Sequence, residues 1–317
     1  MMDVYMIDAY NIGLAVLVLV LAVWTVIARD SFAAVVGFVA YGLLLALVWL
    51  QLHGVDVALT EAALGSGLTG ALLLGAASRL HRTGRPAHIQ RPGRLTHLVA
   101  ALAAAGVTAA LGIAVLALPD PAPTLAQETA ANIGATGVYN PLTAVLLAFR
   151  AVDTLLEATV VLFALVGIWS LAPDAAWGGR PGALQQIDPQ GPLAFLARVL
   201  PPIGIIIAVY IFWIGADHPG GKFQGAALLA AMWLLVIYAG LVDTPRTDRR
   251  ALRLALIAGP VIFMAVGAAG IVTAGAFLAY PDGLAKPLIV LIEWALFPSL
   301  AVTLALIVAG PPARAES

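Results

Sequence analysis

The sequence predicts an all-α, polytopic membrane helix bundle of about nine transmembrane helices. Three observations carry this reading. Of the 317 residues, 62% are hydrophobic and only 10% are charged, and a soluble domain of this length needs more charge to cover its surface. The apolar residues gather into runs of roughly 20, long enough as helices to cross a bilayer core. The breaks between runs are rich in Gly and Pro, which end helices, and several carry the arginines that an apolar span excludes.

The same composition excludes several function classes. Cysteine is absent, so disulfides, thiolate-ligated iron–sulfur clusters and thioether-linked haem are ruled out. A net charge of −1 gives no footprint for nucleic acid. There is no P-loop, dinucleotide fingerprint or His-Glu-x-x-His motif, and no nucleophile–base pair. No cofactor, no metal and no enzymatic activity are therefore expected. Alanine and arginine far outnumber isoleucine and lysine, which suits a GC-rich bacterial gene and a place in the bacterial cytoplasmic membrane.

The N-terminal residues 1–10 are acidic and lack the basic region of a signal peptide. The first span is 11–28 and the second 32–52, with Arg29-Asp30 as the turn between them. His53-Gly54-Val55-Asp56 separates the second from a third span, 57–80. In it Ala63, Gly67, Ala71 and Gly75 recur at steps of four, a small-residue stripe for close helix contact. A basic loop, 78–97, holds Arg79, Arg82, Arg85, Arg91 and Arg94. The fourth span is 98–118, and a proline-bearing loop follows to Tyr139. The fifth span is 142–171. Residues 172–192 are rich in Gly and Pro and read as a linker between a five-helix part, 1–172, and a four-helix part, 193–317. The sixth span, 193–215, carries Pro201-Pro202; a tight loop with Pro219, Gly220 and Gly221 leads into the seventh, 223–242. A second basic loop precedes the eighth span, 254–280, with Pro260 inside it. The ninth, 287–309, contains Glu293 and Pro298.

Nine spans sort the charges. Arg29, the arginines of both basic loops, Arg180, Arg198 and Arg314 fall on one side, while Lys222 and Lys286 fall on the other. The arginine side is the cytoplasmic one, so the N-terminus is expected outside and the C-terminus inside. The outer surface of such a bundle is expected to meet membrane lipid.

The fifth span carries the chemistry. Arg150, Asp153 and Glu157 are spaced i, i+3, i+7 and project from one face of a continuous helix. A charge near the bilayer centre costs roughly 2.5 kcal/mol or more. Two readings follow: a static Arg–Asp staple between packed helices, or a proton or cation relay in which Arg150 tunes the two carboxylates. Glu61, one turn into the third span, either interacts with the helix start or joins such a relay; Gly65 leaves room beside it. Glu293 lies mid-span, where Pro298 cannot donate to the Trp294 carbonyl, and serves as a structural hydrogen-bonding group or handles protons. Pro219, Gly220 and Gly221, with Phe223 and Gly225 after them, shape a tight turn where subunits pack.

Three stretches together resemble the Mrp-type multisubunit cation/proton antiporters and their relatives in membrane-bound hydrogenase complexes. Val55-Asp56-Val57-Ala58-Leu59-Thr60-Glu61 resembles the Pro-Asp-x-Ala-Leu-Thr-Glu segment of the C-terminal part of the family's large antiporter subunit, with Val55 in place of proline. Asn140-Pro141-Leu142 through Phe149-Arg150-Ala151-Val152-Asp153-Thr154-Leu155-Leu156-Glu157 is similar to the family's Asp-Phe-Arg-x-x-Asp-Thr-x-x-Glu helix, with Ala148 where the family has aspartate. Pro219-Gly220-Gly221-Lys222-Phe223-Gln224-Gly225 resembles the Pro-Gly-Gly-Gly-Phe-x-Gly-Gly signature of the MrpB-type small antiporter protein, with Lys222 and Ala226 replacing glycines. The resemblance implies a fusion of the large subunit's C-terminal part with the MrpB-type protein. It also implies an accessory or connecting membrane subunit in a complex that moves Na+ (or another monovalent cation) and H+, with the other subunits of that complex as partners. The alternative it leaves open is a membrane-arm subunit of a redox-driven ion pump such as a membrane-bound hydrogenase.

Overall fold

The computed structural model describes residues 2–82, 93–119, 121, 123–182 and 191–314. Arg85, His88 and Arg91 of the basic loop lie outside these. Among the described residues, eight helices are long and apolar enough to cross a membrane, and Lys222–Tyr238 adds a shorter apolar one. The chain is an all-α, multi-pass membrane bundle.

Helix α1 is Met2–Ile27 and packs on α2, Ser31–Gln51. Asp30 caps α2: its carboxylate accepts the Ala33 N–H at 2.8 Å, filling one of the bonds a helix start leaves open. Helix α3 runs in three continuous pieces, Val55–Thr60, a π-helical Glu61–Leu68, and Thr69–Arg82. Helix α4, Arg94–Leu116, has no buried residue within the chain. The expected loop before Tyr139 contains a helix, α5, Ala126–Thr136, ended by Gly137 in the left-handed region. It is polar and short, so no hydrophobic run marks it.

The fifth span departs from its expected single helix. Asn140 caps the start and Pro141 occupies the first turn of α6, Pro141–Ala144, which passes into a π-helical turn, Val145–Phe149. At Arg150 the backbone leaves the helix (φ −132°, ψ 38°), and α7, Ala151–Trp169, begins afresh. The break is supported from both sides. The Leu146 carbonyl accepts from Thr154 Oγ1 and the Leu147 carbonyl from the Tyr280 hydroxyl, each at 2.6 Å.

The remaining spans are α8 (Pro192–Ile214), α9 (Lys222–Tyr238), α10 (Arg250–Thr273) and α11 (Ala285–Ala309). The expected eighth span ran on to Tyr280, but the helix stops at Thr273. The chain then folds back, and Leu278 N–H donates to the Gly267 carbonyl. Helix α11 is the centre. It is apolar on all sides, as a helix surrounded by other helices must be, and α7, α9 and α10 pack around it. Ile289, Ile292, Leu296 and Leu306 have no exposed surface. Pro260 cannot donate to the carbonyl of Leu256 one turn back; Ser299 Oγ of α11 donates to it instead, at 2.6 Å.

The stretch read as a linker is docked where it is described. Arg180–Pro181 (β1) pairs antiparallel with Pro312–Arg314 (β2). Arg180 donates to the Thr244 carbonyl at 2.6 Å, Thr244 Oγ1 to the Pro181 carbonyl at 2.7 Å, and the Thr247 N–H to Gly179. These bonds tie the linker and the C-terminal segment to the 243–249 loop.

Candidate functional site

The three motif stretches, far apart in sequence, meet in one polar knot. Asp56 stands in the first turn of α3. Its Oδ1 accepts from the Gly220 N–H at 2.8 Å and from Asn140 Nδ2 at 3.3 Å. Asn140 Nδ2 also faces the carbonyls of Gly215 (3.0 Å) and His218 (2.9 Å), and Thr143 Oγ1 donates to Gly215 at 2.7 Å. Gln224 Nε2 donates to the Asp56 carbonyl (3.2 Å) and to Thr60 Oγ1 (2.9 Å). Every one of these bonds is partly or wholly buried, so they replace water that the groups have lost.

The glycines explain why this loop has its sequence. Gly220 and Gly221 have φ of +150° and +141°, conformations costly for any residue with a Cβ. A Cβ on Gly220 would run into the Ile211 carbonyl, and one on Gly225 would come within 2.7 Å of the Ala208 carbonyl. Pro219 and Phe223 flank the turn. The Gly220 N–H is used on this chain's own Asp56. On the same side Lys286 Nζ bonds Asp217 at 2.8 Å and lies over the Tyr139 ring.

Directly beyond the loop lies the buried ion pair. Lys222, the first residue of α9, points its Nζ at Glu293 Oε1 of α11, 3.7 Å away; the side chains are 4% and 5% exposed. The Tyr280 hydroxyl donates to the Leu147 carbonyl in the broken turn ahead of Arg150.

The expected triad is arranged differently from its sequence reading. Arg150 and Asp153 do pair, at 2.5 Å, but on the open surface of the chain, with side chains 70% and 49% exposed. Glu157 is exposed there too. The buried face of α7 is Ala151, Thr154, Leu155, Ala158 and Leu165. The three charges therefore look away from this chain's core. Glu61 lies in the π segment of α3 against α2. At the other end of the bundle Arg246 hydrogen-bonds Asp248 and holds its carboxyl below the usual carboxylate range.

Sequence reasoning singled out Glu293 but missed its partner Lys222, and it missed Asp56, Asn140, Gln224 and Tyr280 as site-formers. The available signal was a lysine opening an apolar run, within reach of a mid-span glutamate once both helices start at one end of the bundle.

Residues 16–82 match the MbhD family, the D component of MBH, and residues 192–311 match the domain related to the MnhB subunit of Na+/H+ antiporter. A solved structure of the Mrp complex from Dietzia sp. DQ12-45-1b is similar over 96% of this chain and 35% of its own, with 26% identity and a TM-score of 0.70. This chain therefore spans about a third of the length of that relative. The membrane-bound sulfane sulfur reductase, an archaeal respiratory membrane complex, shares the fold over 68% of this chain and 97% of its own (21% identity, TM-score 0.53). Comparison with curated proteins yields no match. Residues 192–311 thus resemble the domain related to the MnhB subunit and residues 16–82 the MbhD family, and over nearly its whole length the chain is similar in structure to a component of an Mrp complex.

Proposed function

We propose that this chain is an accessory, connecting membrane subunit of a multisubunit monovalent cation (Na+)/proton antiporter, and not an enzyme in its own right. It divides into a module at 1–172, a linker at 173–192 and a module at 193–317. It lies in the bacterial cytoplasmic membrane with its N-terminus outside and its C-terminus inside, and works with the other subunits of an Mrp-type complex. Arg150, Asp153, Glu157, Glu61 and Glu293, joined by Lys222, form its share of the proton or cation path.

The observation that carries this reading is the buried Lys222–Glu293 pair beside the Asp56 knot, inside a domain related to an Na+/H+ antiporter subunit. An ion pair is a costly way to fill a membrane core, and apolar packing of the same volume is often no less stable. The charged face of α7, uncovered within the chain, supports a place among other subunits.

The test is to purify the complex that this chain enters and to follow cation-dependent proton movement in vesicles with and without the chain. Loss of exchange on its removal, with restoration by the full chain, is the expected result. A second reading, a membrane-arm subunit of a redox-driven pump, is favoured by the match to the MbhD family. Copurifying iron–sulfur proteins would select it.

A further inference from the structure

The π segment of α3 and the facing stretch of α2 enclose a second polar pair. Gly42 is buried in α2. A Cβ there would collide with Ser66 Oγ and come within 3.1 Å of Glu61 Oε1. Gly65 is shaped in the same way: a Cβ on it would meet the Glu61 carboxylate. Two glycines thus hold open the space into which a carboxylate and a hydroxyl converge.

Both oxygens lack partners. Ser66 is 2% exposed, and its Oγ has no hydrogen bond. Among the described residues the Glu61 carboxylate has neither a hydrogen bond nor an ion pair. An unpaired buried hydroxyl is costly, and an unpaired carboxylate at membrane depth more so. Other polar groups of this bundle find partners, Thr60, Gln224 and Ser299 among them.

The helix geometry is what brings them together. In an α-helix, residues five apart point about 140° away from one another. The i→i+5 bonding of a π-helix widens the turn and sets residue i+5 over residue i. Glu61 and Ser66 are five apart and lie within the π-helical Glu61–Leu68. The distortion turns a hydroxyl that would face elsewhere onto the side of the carboxylate.

We propose that Glu61 Oε1 and Ser66 Oγ, converging at Gly42, are ligands of a site for a partly dehydrated monovalent cation, Na+ in the first instance. Hard oxygen donors suit a hard cation. One unpaired carboxylate is neutralised by one positive charge, whereas a divalent ion would leave net charge in the membrane. The assignment rests on the antiporter-subunit reading and adds Ser66 and Gly42 to it.

The test has two arms. In the first, the thermal midpoint of the purified full chain is measured in NaCl and in choline chloride at constant ionic strength. Na+ should raise the midpoint of the unmodified chain. Ser66→Ala, which keeps the fold and removes one oxygen, should shrink that rise, and Gly42→Ala should abolish it. In the second arm, vesicles carrying the intact complex report exchange against Na+ concentration. Ser66→Ala should raise the half-saturating Na+ about tenfold, with complex abundance unchanged. An equal Na+ response in the unmodified chain and Ser66→Ala, in both arms, would overturn the site. It would leave the antiporter reading intact, because exchange by the unmodified complex tests that separately. A midpoint rise without any exchange in the unmodified complex would keep the site and overturn the antiporter reading.

Discussion

Lys222 and Glu293 face each other across 3.7 Å, nitrogen to oxygen, on two helices that begin at the same end of the bundle, and neither side chain is more than 5% exposed. Removing one partner strands the other. Lys222→Met should destabilise the chain by about 3–5 kcal/mol, and Glu293→Gln should do the same. The double variant Lys222→Met, Glu293→Gln should recover most of the loss, because no charge is then left without its counterpart. A double-mutant cycle on the thermal midpoint of the purified chain checks this. Additive losses would show that the two side chains do not interact.

The hydroxyl of Tyr280 caps the carbonyl of Leu147, a residue with no exposed surface, just ahead of the break at Arg150. Tyr280→Phe should cost about 1–3 kcal/mol, since the ring keeps its packing while a buried acceptor loses its donor. Hydrogen exchange should show the effect locally, as faster exchange of the Arg150 and Asp153 amides, whose acceptors are the Val145 and Arg150 carbonyls.

Gly220 combines a φ of +150° with a Cβ position blocked by the Ile211 carbonyl. Gly220→Ala should therefore lower stability by roughly 1–3 kcal/mol from backbone strain. It should also loosen the Asp56 bond that joins α3 to the α8–α9 loop. Asp56→Asn keeps an acceptor oxygen and should be milder. The comparison is read from the two thermal midpoints; equal losses would show that strain at Gly220 adds nothing.

The topology has its own check. Cysteines placed at Arg249 and at Asp282, both exposed and separated by the single crossing α10, should be labelled from opposite faces of sealed vesicles. Arg249 belongs to the cytoplasmic face if the arginine bias sets orientation. Labelling of both from one side would refute the crossing.

Hydrophobic runs were legible because a membrane demands them of any spanning helix, and glycine and proline marked their ends. What stayed hidden needed partners. The i, i+3, i+7 spacing at Arg150 assumed a continuous helix, and nothing local announces that Thr154 and Tyr280 would support a break. Lys222 sat next to a Pro-Gly-Gly turn and read as part of an exposed loop; only the packing of α9 on α11 makes it interior. Asp56 and Gly220 each belonged to a recognisable stretch, but their bond exists only in the folded chain. Glu61 and Ser66 are on different faces of an α-helix, and only the π-helical turn aligns them.

The open face of α7 yields the last prediction. Arg150 and Asp153 are 70% and 49% exposed in this chain, so their pair contributes little to the chain's own stability, about 0–1 kcal/mol. At membrane depth, however, an uncovered ion pair is costly, and a covering helix from another subunit removes that cost. Arg150→Ala should therefore leave the thermal midpoint of the isolated chain nearly unchanged and lower the abundance of the assembled complex. Glu157→Gln differs. It keeps the side chain's volume and much of its hydrogen bonding but cannot change charge, so assembly should survive while cation-dependent proton flux in vesicles falls. Complex abundance and flux are measured together for both variants. Normal flux in an assembled Glu157→Gln complex would take this residue out of the path and leave the charged face as a static staple between subunits. A collapse of the isolated chain in Arg150→Ala would show instead that the pair supports the break at the head of α7.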